Sequence, residues 1–326
     1  MTVTIERMTR YWAELAGATG GRQFVSRRIE EAAQLDVHAA LRVVDGSPCL
    51  LFDLPDPGRV ADAGFEVGGM RLARAAGEAG QLLVLSLEDR GRRDLFATLC
   101  ADLLTFSAGT EAGQPFTVLL DRLEAWRLFL RSLASGMDRS DVIGLLGELY
   151  VLSTLLLDAP ELLATWRAPD DGLHDFENAG HALEVKTTTG PGSRVRISTL
   201  DQLDVTGLDR LDLVHVRLVE SPQGQTMDEL IATIDGLLGS QAMRRDFSNA
   251  LLRRGLQPDD AAARTGVRSR LQQIVCYGIV DAFPRLTRAA VPAPIIDASY
   301  ALDLSAVQGF AGPSSTTIDA YRSRST

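Results

Sequence analysis

Apolar residues recur at helical spacing from Arg7 to Ala16, which predicts a short amphipathic helix. From about Gln34 to Leu87 the pattern shortens. The runs Ala40–Val44, Cys49–Phe52 and Leu82–Leu87, punctuated by Gly, Pro and Asp, predict strands. Leu95, Leu99, Leu103 and Leu104 restore helical spacing over Asp94–Phe106, and Leu119, Leu120, Leu123, Trp126, Leu128 and Leu130 repeat it over Thr117–Leu133. Gly136-Met137-Asp138 breaks that helix, and Ser140 is placed to cap the next, Asp141–Leu157. Beyond a Pro169-Asp170-Asp171-Gly172 turn come strand-like segments, with Val214–Val219 the clearest. Helices follow at Met227–Leu238 and Gln241–Leu252, then strands at Gln273–Val280 and Ile295–Leu302. The Ser/Thr/Arg-rich end is expected to be mobile. The reading gives an N-terminal α+β domain over residues 1–112, a second α/β (α+β) domain over 113–310 and a flexible tail over 311–326.

One segment within the second domain has a sharper pattern. His174-Asp175-Phe176-Glu177-Asn178, Ala179-Gly180 and His181-Ala182-Leu183-Glu184-Val185-Lys186 read as a β-hairpin closed by a two-residue turn. That register sets Asn178 against His181, Phe176 against Leu183 and Asp175 against Glu184. Alternation places Lys186 on the Glu184 face and sends Phe176, Leu183 and Val185 to the core. It also sends His174 and His181 to the face away from the carboxylates, where a structural role is expected. Directly opposed carboxylates are destabilising, and a divalent cation is the natural compensation.

Composition sharpens this. Lys186 is the only lysine; the other 32 of 33 basic residues are arginine. Arginine and lysine differ where a compact ammonium is needed, so this position is a candidate for chemistry. The three cysteines are far apart, which supports neither a disulfide framework nor a zinc site, and a cytoplasmic setting fits. Neither a signal peptide nor a membrane-length apolar run is read. The net charge of −10 argues against free-standing non-specific nucleic-acid binding. The charge is uneven, however. Asp141–Glu220 carries fourteen acids against six bases, and Met243–Arg288 carries nine arginines against four acids. Arg194, Arg196, Ser198 and Gln202 after the hairpin, and Arg244, Arg245, Arg253 and Arg254 on or beside a later helix, are candidates for phosphate contacts.

Asp175 followed by Glu184-Val185-Lys186 resembles the core of the PD-(D/E)XK nuclease superfamily. The stretch from Gly144 to Tyr150 resembles that superfamily's first core helix, with Glu148 as the further acid. The literal Pro-Asp pair is Pro169-Asp170, but Asp175 is preferred because it opposes Glu184. The run from Asp141 to about Asp204 is similar to a bacterial PD-(D/E)XK branch encoded beside phage-defence or restriction genes. The resemblance implies a restriction-endonuclease-like core: a mixed four-stranded sheet flanked by helices, with strands from Phe176, Leu183–Val185, Val195–Ile197 and Leu213–Val219. It implies catalytic Asp175, Glu184, Lys186 and Glu148, with Mg²⁺ or Mn²⁺ held by Asp175, Glu184 and Glu148. The expected activity is that of a Mg²⁺-dependent DNA endonuclease. Its expected partners are DNA, other subunits of a defence system including an ATPase, and a second copy in a homo-oligomer. The alternative is an inactive DNA-binding or scaffold subunit on the same fold.

Overall fold

A computed structural model describes residues 3–18, 23–32, 35–54, 64–77, 80–108, 115–132 and 137–324. The chain divides into two units, Met1–Ser135 and Gly136–Thr326. Gln34, Gly136 and the expected boundary at residues 112 and 113 lie outside the described residues.

The first unit is a six-stranded antiparallel sheet with helices. Its strands are β1 (Phe24–Arg28), β2 (Val37–Arg42), β3 (Pro48–Asp53), β4 (Phe65–Val67), β5 (Met70–Ala76) and β6 (Gln81–Leu87), in the order β1-β2-β3-β6-β5-β4. Helix α1 (Ile5–Leu15) buries Met8, Tyr11, Trp12 and Leu15, which form one stripe. The Trp12 ring stacks on Phe96 of α2 (Arg93–Ser107) with 5.4 Å between centroids, and its Nε1 donates to the Cys49 carbonyl at 3.1 Å. Helix α3 (Pro115–Ser132) belongs to this unit rather than to the second domain. Asp102 of α2 holds it there, accepting from Arg122 Nε and Trp126 Nε1 of α3, each at 2.7 Å.

The second unit is built around α4 (Arg139–Leu156). Its N-cap is Asp138, not Ser140. Asp138 Oδ1 accepts from Asp141 N at 2.9 Å, while the Asp141 carboxylate accepts from Asp138 N at 3.0 Å. Strands β7 (Phe176–Asn178), β8 (His181–Thr189), β9 (Arg194–Ile197), β10 (Arg210–Gln225), β11 (Ser269–Gly278), β12 (Tyr300–Asp303) and β13 (Ala311–Gly312) follow in chain order. Among them lie helices α5 (Met227–Leu237), α6 (Gln241–Arg253), α7 (Ala261–Thr265) and α8 (Ser314–Arg322). The main sheet has the order β13-β11-β10-β8-β7. Its β8–β10 pair is parallel and its other pairs are antiparallel, so the mixed sheet is present.

One expected strand is elsewhere. Val195–Ile197 leaves the main sheet and pairs with β12 as a separate two-stranded ribbon, and β11 stands beside β10 instead. Of the expected Ile295–Leu302 strand only Tyr300, Ala301 and Leu302 are extended, within β12 (Tyr300–Asp303), and Ile295 and Ile296 are exposed.

The two faces of the sheet have different cores. Phe176, Leu183, Val185, Val214, Val216 and Leu218 pack with Leu145, Leu149 and Leu152 of α4. On the other face, Ala182, Leu211 and Leu213 pack with Val195 and Ile197 of β9 and Leu302 of β12. Glu184 and Lys186 share that second face and lie where the apolar filling stops.

The described part of the expected tail, residues 311–324, forms secondary structure. Helix α8 buries Ile318 and Tyr321, and Asn178 Nδ2 donates to the Tyr321 carbonyl at 2.7 Å. Two apolar anchors spaced i, i+3 outweigh its polar composition.

Candidate active site

The hairpin has the register read from the sequence: Phe176 opposes Leu183, Glu177 opposes Ala182 and Asn178 opposes His181. Ala179 and Gly180 both have positive φ, 43° and 81°, as a tight hairpin turn that matches strand twist requires. Strand β7 begins at Phe176, so Asp175 stands just outside the ladder. Its Oδ2 accepts from the Val185 main-chain N–H at 2.7 Å, which ties the carboxyl to the strand that carries Glu184 and Lys186. Pro169-Asp170 faces elsewhere: Asp170 pairs with Arg253 at 2.8 Å and does not line the cavity described next.

A cavity of about 470 Å³ is lined by Glu148, Asp175, Glu184, Lys186, Arg194, Arg196, Gln202 and Arg254, among others. Lys186 Nζ donates to Glu184 Oε1 at 2.7 Å and to Gln202 Oε1 at 3.4 Å. The same Gln202 oxygen accepts from Ser198 N at 2.7 Å, so the loop after β9 fixes the side chain that faces the ammonium. Glu184 is only 2% exposed, yet the Lys186 side chain keeps 16%, so the ammonium is reachable from solvent. Arg194 and Arg196 alternate outward from β9 while Val195 and Ile197 point into the core.

Burial pushes the Asp175 carboxyl well above the usual carboxylate range, and the neighbouring Glu184 and Glu148 raise it further. Burial also raises Glu184, against the opposing pull of Lys186 and of His174. His174 packs as a buried residue, as expected of a structural role, with Nδ1 3.3 Å from Glu177. His181 has the expected structural role: its Nε2 is 2.7 Å from Asp212, which also accepts from Arg210 at 2.6 Å.

Glu148 reaches the cavity from α4 because that helix approaches β8 closely. A Cβ on Gly147 would collide with Thr187 Oγ1 and lie 2.9 Å from Thr187 Cβ, whereas nothing lies within 4 Å of one on Gly144. Gly147→Ala is expected to lower stability by about 1–3 kcal/mol through overpacking. Gly144→Ala should instead be neutral or stabilising by up to about 1 kcal/mol, as glycine removal from an open helical position usually is. Thermal denaturation of both variants checks the contrast, and equal shifts would remove the close-approach argument.

The sequence did not mark Trp166, and it marked Arg254 only as part of an arginine patch, not as a partner of Glu148. Trp166 Nε1 donates to Oε2 at 3.1 Å; Arg254 donates through Nη2 to Oε1 at 2.7 Å and through Nε to Oε2 at 3.2 Å. Their separations from Glu148, 18 and 106 residues, carry no local pattern. Of the arginines singled out on α6, Arg244 caps α5 by donating to the Asp235 and Leu238 carbonyls at 3.2 and 2.9 Å, and Arg245 does not line the cavity.

The donor set suits a hard divalent cation, which takes carboxylate oxygens and completes its shell with water. Asp175 and Glu184 offer such a pair of oxygens in the cavity. Glu148 is engaged by Arg254. Among the described residues, the one trio with ligand atoms already within 4.8 Å of one another is Asp36, His38 and Asp53, in the first unit. Asp36 there also lies 3.3 Å from Arg28.

A mixed sheet flanked by helices, with an aspartate before one strand and Glu-x-Lys along the next, defines a restriction-endonuclease-like α+β core. The chain belongs to the family described as "Putative PD-(D/E)XK family member, (DUF4420)", whose model it matches over residues 8–305. No curated protein and no solved structure matches it. Among the described residues no helix is long and apolar enough to cross a membrane.

Proposed function

We propose that this protein is a divalent-metal-dependent nuclease that hydrolyses phosphodiester bonds of DNA, with its site on the β7–β8 hairpin. The observation that carries the reading is the convergence of Asp175, Glu184 and Lys186 in one water-accessible cavity, with the lone lysine held between Glu184 and Gln202. Asp175 and Glu184 would hold Mg²⁺ or Mn²⁺, and Glu148 stands beside them as a third acid. The bound ion would supply Lewis-acid polarisation of the phosphate and a lowered pKa for water.

The chain's own groups do the rest. Lys186 directs the attacking water and balances charge that grows on the phosphoryl oxygens. The water oxygen bonds to phosphorus, one phosphorus–sugar oxygen bond breaks, the water's proton leaves to solvent, and the departing oxygen takes up a proton. Arg194 and Arg196 are placed to contact the backbone of the bound strand without reading its sequence. The acidic net charge of −10 supports action as one subunit of a larger bacterial defence assembly, in which partners provide further DNA affinity and any ATP-driven step.

The test is cleavage of supercoiled, linear and single-stranded DNA by wild-type protein with Mg²⁺, Mn²⁺ or EDTA. Cleavage with either metal and none in EDTA is expected. No cleavage of any substrate, together with retained DNA binding, would favour an inactive binding subunit on this fold.

A further inference from the structure

Arg254, the residue that caps the C-terminus of α6, lines the cavity. Its backbone is fixed at the helix end: its N–H donates to the Ala250 carbonyl at 2.9 Å, and Leu256 N donates to the Leu251 carbonyl at 3.0 Å. The guanidinium can therefore move only by rotating its side chain. It grips both oxygens of Glu148, and burial strengthens that grip, since Glu148 is 4% exposed. Trp166 holds Glu148 Oε2 independently, so Glu148 would keep one anchor if Arg254 left.

Arg254 engages both oxygens of Glu148, so a cation bound to that carboxylate would meet the guanidinium's positive charge at close range. Three carboxylates line the cavity, and of its four cations Lys186 and Arg254 are the two hydrogen-bonded to them. An arriving divalent ion adds positive charge beside Arg254 and competes for the same carboxylate. A guanidinium released from Glu148 would still line the cavity, with five donors to offer. Such a fork of N–H groups matches phosphate oxygens.

We propose that Arg254 is a positioning residue with two partners: Glu148 while the site lacks a cation, and the phosphate of the bound strand once Glu148 turns to one. This rests on the nuclease reading and adds a coupling to it, because metal loading releases the arginine that grips the substrate.

The experiment measures binding, not turnover. A short fluorescein-labelled DNA duplex is titrated by anisotropy in Ca²⁺ across a range of NaCl concentrations, and Mn²⁺ binding is followed by calorimetry. Arg254→Ala should weaken duplex binding about tenfold or more, the loss of a charge-assisted contact. It should also make the slope of log K against log salt shallower by about 0.9, the signature of one lost phosphate contact. The same variant should bind Mn²⁺ at least as tightly as wild type, because a competitor has gone. Arg254→Lys should restore the slope but not the full affinity. Glu148→Gln, which keeps an oxygen for Trp166 and loosens Arg254, should strengthen duplex binding in EDTA.

An unchanged salt slope in Arg254→Ala, or weaker Mn²⁺ binding in that variant, would make the pair purely structural and overturn the proposal. If Arg254→Ala fails to fold, unchanged duplex binding by Glu148→Gln in EDTA overturns it instead. Wild type that binds neither Mn²⁺ nor duplex would remove the nuclease reading, and this inference with it. Wild type that binds both while the variants match it would remove the inference alone.

Discussion

Lys186→Ala should lower metal-dependent DNA cleavage by about 10²–10⁴-fold, the range that a well-placed proton-handling or charge-stabilising group contributes. Its Nζ lies 2.7 Å from Glu184 and 3.4 Å from Gln202, and the side chain is 16% exposed. It is thus fixed on one side and open to substrate on the other. Lys186→Arg keeps the charge and should still lose most of the activity. A planar fork cannot occupy the place of a compact ammonium between two fixed oxygens without displacing one of them. Calorimetric Mn²⁺ binding should survive in both variants, since the carboxylates remain. Some stability is lost in Lys186→Ala, because Glu184 stays buried without its partner. That loss should fall below the roughly 3–5 kcal/mol seen when a fully buried pair is broken, because solvent reaches the lysine end. Undiminished cleavage by a folded Lys186→Ala protein would end the catalytic assignment of this residue.

The hairpin could be read from the sequence because everything that defines it is local. A two-residue turn fixes the register, the register fixes the faces, and period-2 alternation then groups Glu184 with Lys186. Several helices were legible for the same reason, with ends shifted by a residue or two. What escaped depends on tertiary competition. Val195–Ile197 has the composition of a core strand, yet β11 supplies longer pairing beside β10, and the shorter β9 pairs with β12. The apolar stripe of α3 indicates that it must be covered, not which sheet covers it; Asp102, bonded to Arg122 and Trp126, decides the matter. The tail looked mobile because its composition is polar, but Ile318 and Tyr321 are enough to seat a helix of nine residues. Arg254 and Trp166 could not be found as partners of Glu148 by spacing. The available signal was weaker: a basic stretch following an acidic one, which marked Met243–Arg288 as a region to search without saying which arginine would meet Glu148.

Asp175→Asn separates function from stability most clearly, because the two should move in opposite directions. Asparagine keeps the shape and an oxygen that can accept the Val185 N–H, so the hairpin should persist. What it loses is a negative ligand, and cleavage should fall on the order of 10³-fold, comparable with removing a key electrostatic stabiliser. In metal-free buffer near neutral pH the variant should be more stable than wild type. Burial, with Glu184 and Glu148 nearby, raises the Asp175 pKa in the folded chain, so ionising it there carries a cost that unfolding relieves. Removing that ionisable group should therefore raise the stability of the folded chain in metal-free buffer. The pH dependence has a definite sign. Between the raised folded value and about 4, the unfolded value, the folded state binds more protons than the unfolded state; wild-type stability therefore increases as pH falls through that window. Asp175→Asn should lose that slope. Saturating Mg²⁺ should reverse the ranking, since a ligand bound only by the folded state stabilises it by RT ln(1 + [L]/Kd), and the variant binds the ion poorly. Thermal melts across pH, with EDTA and with Mg²⁺, check all three points. A variant less stable than wild type in EDTA, or stabilised equally by Mg²⁺, would show that Asp175 is neither strained in the empty site nor a ligand in the filled one.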